Sequence, residues 1–210
     1  MARWTRLEAD LRARHGPLLV GIDEVGRGPL AGPVVACALV MPAGVRAIAG
    51  VDDSKALAAP TRERLAARIR ERAVAIGVGA ASVREVDRLN ILHATVRAMQ
   101  RALAMVERRL GAAPDHVLVD GSPLRWLGVE HTAVVKGDAT CYSVACASIV
   151  AKVTRDRLMR QLAGRHADYA WDRNMGYGTA AHREAIAARG LTAHHRRSFC
   201  LNIQTALELT

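Results

Sequence analysis

The sequence predicts an α/β domain, and three observations predict it. Apolar runs of strand length recur, and three of them stop at an acid beside a glycine or a second acid: residues 18–22 before Asp23-Glu24, 116–119 before Asp120-Gly121, and 132–135 before Lys136-Gly137-Asp138. Segments with helical spacing of apolar residues lie between the strands. Ligands gather outside the carboxyl ends of strands in α/β sheets, so Asp23, Glu24, Asp120 and Asp138 are expected to converge at one sheet edge.

Taken in order, residues 3–14 read as a short charged helix that Gly16-Pro17 separates from the first strand. The second strand spans about 34–41, and a loop over 42–50 leads to the polar turn Val51-Asp52-Asp53-Ser54-Lys55. Pro60 fits the first turn of a helix running to about Arg72, and residues 74–81 form a strand of small residues. Ser82 is placed to cap the next helical region. Its longer helix, from about Asn90 to Leu110, carries Leu92, Val96, Met99, Leu103, Val106 and Leu110 at steps of four and three, which define one buried stripe. Arg97, Arg101, Arg108 and Arg109 lie off that stripe as solvated groups. Two further strands at 116–119 and 132–135 precede a helix over about 143–162, and the last helix spans about 180–189. One compact domain is expected, with residues 165–210 as a C-terminal helical extension that binds substrate.

A chain of 210 residues buries roughly 70% of its unfolded surface. Half the residues are apolar and only 3% are aromatic, so Ala, Val, Leu and Ile must build the core. The net charge of +10 and pI near 10.4 suit a polyanionic partner, or equally an Arg-rich solvated surface. Only Lys55, Lys136 and Lys152 among the thirty basic residues are lysine, and all three sit in the motifs described below. The four cysteines form no C-x-x-C pair, which favours reduced thiols and a cytoplasmic location. The charged N-terminus does not resemble a signal peptide, and no apolar run approaches the ~18 residues of a membrane span.

The chemistry concentrates in Gly21-Ile22-Asp23-Glu24-Val25-Gly26-Arg27-Gly28-Pro29-Leu30-Ala31-Gly32-Pro33. Two adjacent acids at the end of a buried strand need water or a cation, and hard oxygen donors suit Mg²⁺ or Mn²⁺. A polar close to a strand is the plainer alternative for Asp23-Glu24 alone. The glycines let backbone approach a ligand, and Arg27 between them can reach a phosphate. A dinucleotide-binding loop is disfavoured by the G-x-G-x-x-x-G spacing and by the strand, not helix, that follows. Four carboxylates without a His or Cys ligand favour two Mg²⁺ or Mn²⁺ ions, which suit in-line displacement at phosphorus. Ser148, Lys152 and Arg155 share one helix face, which is either solvated or a phosphate grip. Tyr177, between two glycines, can stack on a sugar or base, or plug a groove. His194 and His195 lack partners at zinc-like spacing and read as surface or capping groups.

The first motif, G-I-D-E-x-G-R-G-P-L-A-G-P-V, resembles that of the ribonuclease HII family. So do the ordered motifs D-S-K (53–55), V-D-G (119–121), K-G-D (136–138), A-S-I-V-A-K-V-T-R-D (147–156), G-Y-G-T (176–179) and H-R-R-S-F (195–199). The resemblance implies a ribonuclease H-like fold: a mixed five-stranded sheet flanked by helices, with a C-terminal helical region. It implies an acidic tetrad of Asp23, Glu24, Asp120 and Asp138 holding two divalent ions, Mn²⁺ or Mg²⁺. Asp23 bridges them, Glu24 and Asp120 bind one, and Asp138 closes the other. It also implies that Gly26, Arg27 and Gly28 recognise a ribonucleotide 2′-OH and its phosphates, that Tyr177 stacks on the following sugar, and that Lys55, Ser148 and Lys152 contact substrate.

The implied reaction is hydrolysis 5′ to a ribonucleotide, in an RNA–DNA hybrid or at one embedded in duplex DNA, leaving 3′-OH and 5′-phosphate. Primer removal and excision of misincorporated ribonucleotides by a cytoplasmic monomer follow from it. Two departures stand out: Met175 where relatives often carry Lys, and the segment 140–146. The alternatives are another nuclease of the same fold, such as ribonuclease HIII, and a hybrid-binding module without catalysis. Residues 204–210 lack a clear clamp-binding pattern, so recruitment to a replication clamp has no support in the sequence.

Overall fold

The computed structural model describes residues 4–200, so the tail considered for clamp binding lies outside the described residues. Five strands form one mixed sheet: β1 (Leu19–Val25), β2 (Val34–Val40), β3 (Ala75–Ala81), β4 (His116–Asp120) and β5 (His131–Val134). Their order is β3-β2-β1-β4-β5, with β1–β2 and β2–β3 antiparallel and β1–β4 and β4–β5 parallel. The carboxyl ends of β1, β4 and β5 therefore lie at one edge. β1 is central and runs through both acids to Val25, with Asp23 opposite Cys37 and Glu24 opposite Ala36, three residues beyond the apolar run.

Side chains of a strand alternate between faces, and the two cores follow that alternation. Val20, Ile22, Val117 and Val119 pack beneath α3 (Val83–Leu110), with Ala98, Met99, Ala102, Leu103 and Val106. Cys37 and Leu39 pack on the opposite face against α2 (Ala59–Arg72) and α5 (Tyr142–Ala163). α5 comes so close to β1 that a β-carbon at Gly21 would collide with the Ser143 backbone.

The helical region after β3 begins at Val83, directly behind the Ser82 cap that the sequence predicts and seven residues before the longer helix expected from Asn90. Ser82 forms a capping box with Glu85, and a break at Asn90 (φ 68°, ψ 169°) divides the helix. The Asn90 side chain accepts from Leu92 N and His93 N and so caps the second half. Arg101 is an exposed cation with partners, pairing with Glu85 at 2.7 Å.

The first helix, α1 (Arg6–His15), is joined to α5 by one carboxylate. Glu8 completes a capping box with Thr5 and, fully buried, also accepts from Tyr142 N (3.2 Å), Ser143 N (2.8 Å) and Ser143 Oγ (2.7 Å). A negative charge at a helix N-terminus satisfies orphan amide groups and complements the helix dipole. After α5, a short 3₁₀ turn (Ala167–Tyr169), α6 (Trp171–Asn174) and α7 (Ala180–Arg189) surround a small core of Met159, Tyr169, Trp171 and Ile186. None of the described helices is long and apolar enough to cross a membrane.

Candidate active site

Asp23 and Glu24 leave β1 on opposite faces, as adjacent strand residues must. Asp23 is 5% exposed and lies on the α5 side, where the Ser148 hydroxyl hydrogen-bonds it. Ser148 Oγ is also paired with Ser54 Oγ at 2.7 Å, where it can accept from the Ser54 hydroxyl. Ser148 is thus buried behind Asp23, where it steadies that carboxylate. Glu24 lies on the α3 side in a cleft of about 400 Å³ that it shares with Arg27, Thr95, Met99, Asp120 and Ser122. Arg27 Nη1 reaches back to Glu24 Oε1 at 3.2 Å.

Asp120 closes β4 and accepts from Gly137 N at 2.7 Å and Asp138 N at 3.4 Å, which fastens the turn after β5 to β4. That turn is a short helix, α4 (Gly137–Thr140), entered through Lys136 in a left-handed conformation (φ 58°). Asp138 sits in its first turn and accepts from Lys55 Nζ at 3.2 Å. Lys55 comes from the polar turn after β2, so three chain segments meet at this edge.

The electrostatics show what the site lacks. Burial raises the Asp23 carboxyl well above the usual range, and the charges of Glu24 and Asp120 raise it further. Burial also raises Glu24, which Arg27 partly offsets, while burial and Asp138 raise Asp120. Burial pulls the Lys55 ammonium down, but Asp138, Asp53 and Asp23 outweigh it and the net shift is upward. Buried carboxylates that repel one another gain from a divalent cation, and four hard oxygen donors fit Mg²⁺ or Mn²⁺. As the side chains lie, no three His, Cys, Asp or Glu among the described residues are arranged to ligate one ion. Asp23 and Glu24 straddle the sheet edge, and Lys55 holds Asp138.

Beside the acids, the β1–β2 loop meets the turn that carries Tyr177. Leu30 N and Ala31 N donate to Gly176 O, at 2.8 and 3.3 Å. The Tyr177 ring, on a residue 45% exposed, passes over Gly28 with Cε1 3.7 Å from where a β-carbon would stand. Gly26 must be glycine twice over: its φ is 89°, and a β-carbon would collide with the Arg155 guanidinium. Asn174 and His182 brace the tyrosine turn; His182 Nδ1 lies 2.8 Å from Tyr177 O.

Two expectations need correction, those for Arg155 and His195. Arg155 is neither solvated nor free for phosphate: it is fully buried and donates to Pro33 O, Met175 O and Ala31 O at 2.9–3.0 Å. Lys152 shares its face but is bound to Asp156 at 2.8 Å. His195 is no surface group; it is 2% exposed, with Nε2 3.1 Å from His182 Nε2 and Nδ1 accepting from Thr192 N at 2.9 Å. Trp171 Nε1 donates to the same His182 nitrogen at 3.0 Å. His194 is half-buried beside Trp171 and His166. Met175 turns its apolar side chain against the small C-terminal core, which leaves no cation at that position.

Nothing in the sequence marks Arg196, His182, Glu8 or Ser54 as working residues, and Arg155 stands out there only as a solvated group or a phosphate grip. Arg196 and Arg155 lie inside quoted motifs, but nothing in their spacing separates a buried Arg from twenty-five others. A larger cavity, about 580 Å³ between Pro33, Val83, Leu158 and Leu162, contains none of the four acids.

The family model for ribonuclease HII matches residues 20–202. A ribonuclease HII of Thermosynechococcus vestitus is 53% identical over 182 residues, covering 86% of this chain and 83% of that protein. The ribonuclease H2 structure from Pyrococcus horikoshii superposes with a TM-score of 0.71 at 24% identity, over 91% of this chain and 99% of that one, and shares the fold. Bst-RNase HIII, solved in complex with Mn²⁺, gives a TM-score of 0.70 at 25% identity over 95% of this chain and 72% of its own. With the acids of β1 and β4 and the turn beyond β5 at one edge, and a family match over residues 20–202, the chain belongs to the ribonuclease HII family.

Proposed function

We propose that this ribonuclease H cuts 5′ to a ribonucleotide, in RNA–DNA hybrids and at single ribonucleotides embedded in duplex DNA, using two divalent ions held by Asp23, Glu24, Asp120 and Asp138. Its membership of the family makes it an enzyme that acts on RNA–DNA hybrids. The observation that carries the finer reading is that three crowded carboxylates, Asp23, Glu24 and Asp120, stand with Asp138 beside a glycine turn roofed by an exposed tyrosine.

The ions, when bound, supply Lewis-acid stabilisation of the charge that develops at phosphorus. Everything else falls to the chain. Ser148 fixes the rotamer of Asp23 from behind, and the Gly137 amide fixes Asp120. Arg27 and Lys55, whose side chains are 53% and 78% exposed, flank the carboxylates and are placed to attract the phosphates on either side of the cut. Gly26 and Gly28 let the nucleic-acid backbone approach the turn closely, and the Tyr177 ring presents a flat face to the sugar that follows the ribonucleotide. The net charge of +10 contributes a sequence-independent, salt-sensitive share of the affinity.

The test uses a labelled DNA duplex with one ribonucleotide, its all-DNA twin, and a long RNA–DNA hybrid, each with Mg²⁺, Mn²⁺ or EDTA. Metal-dependent cutting 5′ to the ribonucleotide, leaving 3′-OH and 5′-phosphate with the all-DNA duplex intact, is the expected result. Cutting of long hybrids alone would remove the roles given to Gly26, Arg27, Gly28 and Tyr177 while leaving the tetrad.

A further inference from the structure

Beneath the Gly26–Gly28 turn lies a guanidinium with no carboxylate partner among the described residues. Arg196 is fully buried and spends its donors on backbone carbonyls: Nη2 on Gly26 O (2.5 Å) and Gly32 O (2.8 Å), Nη1 on Arg27 O (2.8 Å), and Nε on Gly32 O (3.0 Å). Arg155, equally buried, holds Ala31 O and Pro33 O of the same loop. Neither forms an ion pair with a described acid, and Asp87 and Asp156 act on them only at a distance, so two guanidinium groups stand under one loop with backbone carbonyls as their direct partners. Burial and Arg155 bring the Arg196 guanidinium down to about 10, which leaves it charged at neutral pH.

The geometry of the peptide bond turns this clamp into a statement about the opposite face. All described peptides are trans, and in a trans peptide the N–H points away from the C=O. The Gly26 carbonyl shares its peptide with the Arg27 amide, and the Arg27 carbonyl shares its peptide with the Gly28 amide. With both carbonyls drawn inward by Arg196, both N–H groups are driven outward. Neither amide donates to any group among the described residues. A carbonyl bonded to a cation also polarises its own amide, which makes these two N–H groups stronger donors.

We propose that Arg196 is a positioning residue for ribonucleotide recognition: it locks two consecutive peptide planes so that the Arg27 and Gly28 amides face the substrate as a preorganised pair of donors for the 2′-hydroxyl and its adjoining phosphate. This rests on the reading that the Gly26–Gly28 turn meets the ribonucleotide. Arg196 touches no substrate atom and supplies the geometry and polarity of groups that do.

The test begins with Arg196→Ala, which leaves a hole where three carbonyls converge. Cutting at an embedded ribonucleotide should fall about a hundredfold in kcat/KM, the scale of losing well-placed donors, while affinity for the all-DNA duplex stays within about twofold. Millimolar guanidinium should restore at least about tenfold by refilling the hole, and tetramethylammonium should not. Arg196→Lys, which keeps charge but not the planar fork, should behave like the alanine variant. A folded Arg196→Ala protein that cuts within about twofold of wild type would overturn the inference, as would equal losses of all-DNA binding and cutting.

A second measurement holds even where the variants do not fold. In the wild-type protein with isotope-labelled arginine and glycine, in EDTA, the Arg27 and Gly28 amide resonances should move with the ribonucleotide duplex and not with its all-DNA twin; identical responses overturn it. Should wild type itself cut neither duplex selectively, the underlying reading fails, and that outcome is separate from selective wild-type cutting with an indifferent Arg196 variant.

Discussion

The carboxylate edge and the loop clamp are nearest neighbours built on opposite principles. At the edge, Asp23, Glu24 and Asp120 are buried together, and each carries negative charge that its surroundings fail to balance. In the clamp, Arg155 and Arg196 are buried just as deeply, but backbone carbonyls engage their guanidinium nitrogens. The edge is held short of its electrostatic optimum so that it gains by binding cations; the clamp is satisfied so that it does not move. A binding site of this kind needs both.

The comparison breaks most visibly at the edge. Asp120→Asn should lower cleavage by roughly 10³-fold or more while leaving the fold and nucleic-acid binding intact, because it removes a charge that the ions need and spares the turn hydrogen bonds. Single-turnover cleavage beside a gel-shift titration checks it, and near-full activity would refute the assignment of the tetrad.

The clamp should respond in stability instead. Arg155→Met strands the carbonyls of Ala31, Pro33 and Met175 in the interior and should cost about 3–5 kcal/mol, read as the shift in urea midpoint at constant slope. A cost below about 1 kcal/mol would mean that water takes over these carbonyls.

Acid should loosen the same region. Burial, then His182, His166 and His194, bring the His195 imidazole down to about 4, whereas an unfolded histidine titrates near 6.5. Above 6.5 both states are neutral and this contribution is complete. As pH falls toward 4 the unfolded chain takes up the proton first, so stability declines by roughly 3 kcal/mol at most. His195→Gln should flatten that decline in urea titrations between pH 7 and about pH 4.5.

The smallest effect sharpens the contrast by reversing sign. Asp23→Asn removes a buried charge that lacks compensation and should raise the melting temperature in EDTA, by an amount equivalent to about 1 kcal/mol. The same variant should lose activity and most of the melting shift that Mn²⁺ produces in the wild type. Destabilisation in EDTA would show that Ser148 and the Glu24 amide already balance the charge.

The edge could be read from the sequence because its residues contradict their context. Acids do not belong at the ends of apolar strands, and Asp23, Asp120 and Asp138 each follow such a run, so both the sheet and the tetrad stood out. The clamp could not, because Arg155 and Arg196 are only two of twenty-seven arginines and a helical face looks the same whether it meets water or carbonyls. Burial by a segment distant in sequence leaves no local trace, which is also why His195 reads as exposed. The start of α3 was legible in Ser82, whose capping box opens it, although Asn90 breaks the helix and the apolar stripe begins only after that break.

Glu8 carries a consequence for how the protein comes off the ribosome. Its partner Ser143 lies 135 residues downstream, so the first helix emerges holding a carboxylate whose only dry resting place has not yet been made. Burial without those amides is costly, and α1 must stay in water until α5 arrives. The helix that carries Ser148 to Asp23 is thus sealed by a segment made well before it, and a nascent polypeptide has no finished cutting edge to turn on the nucleic acid around it.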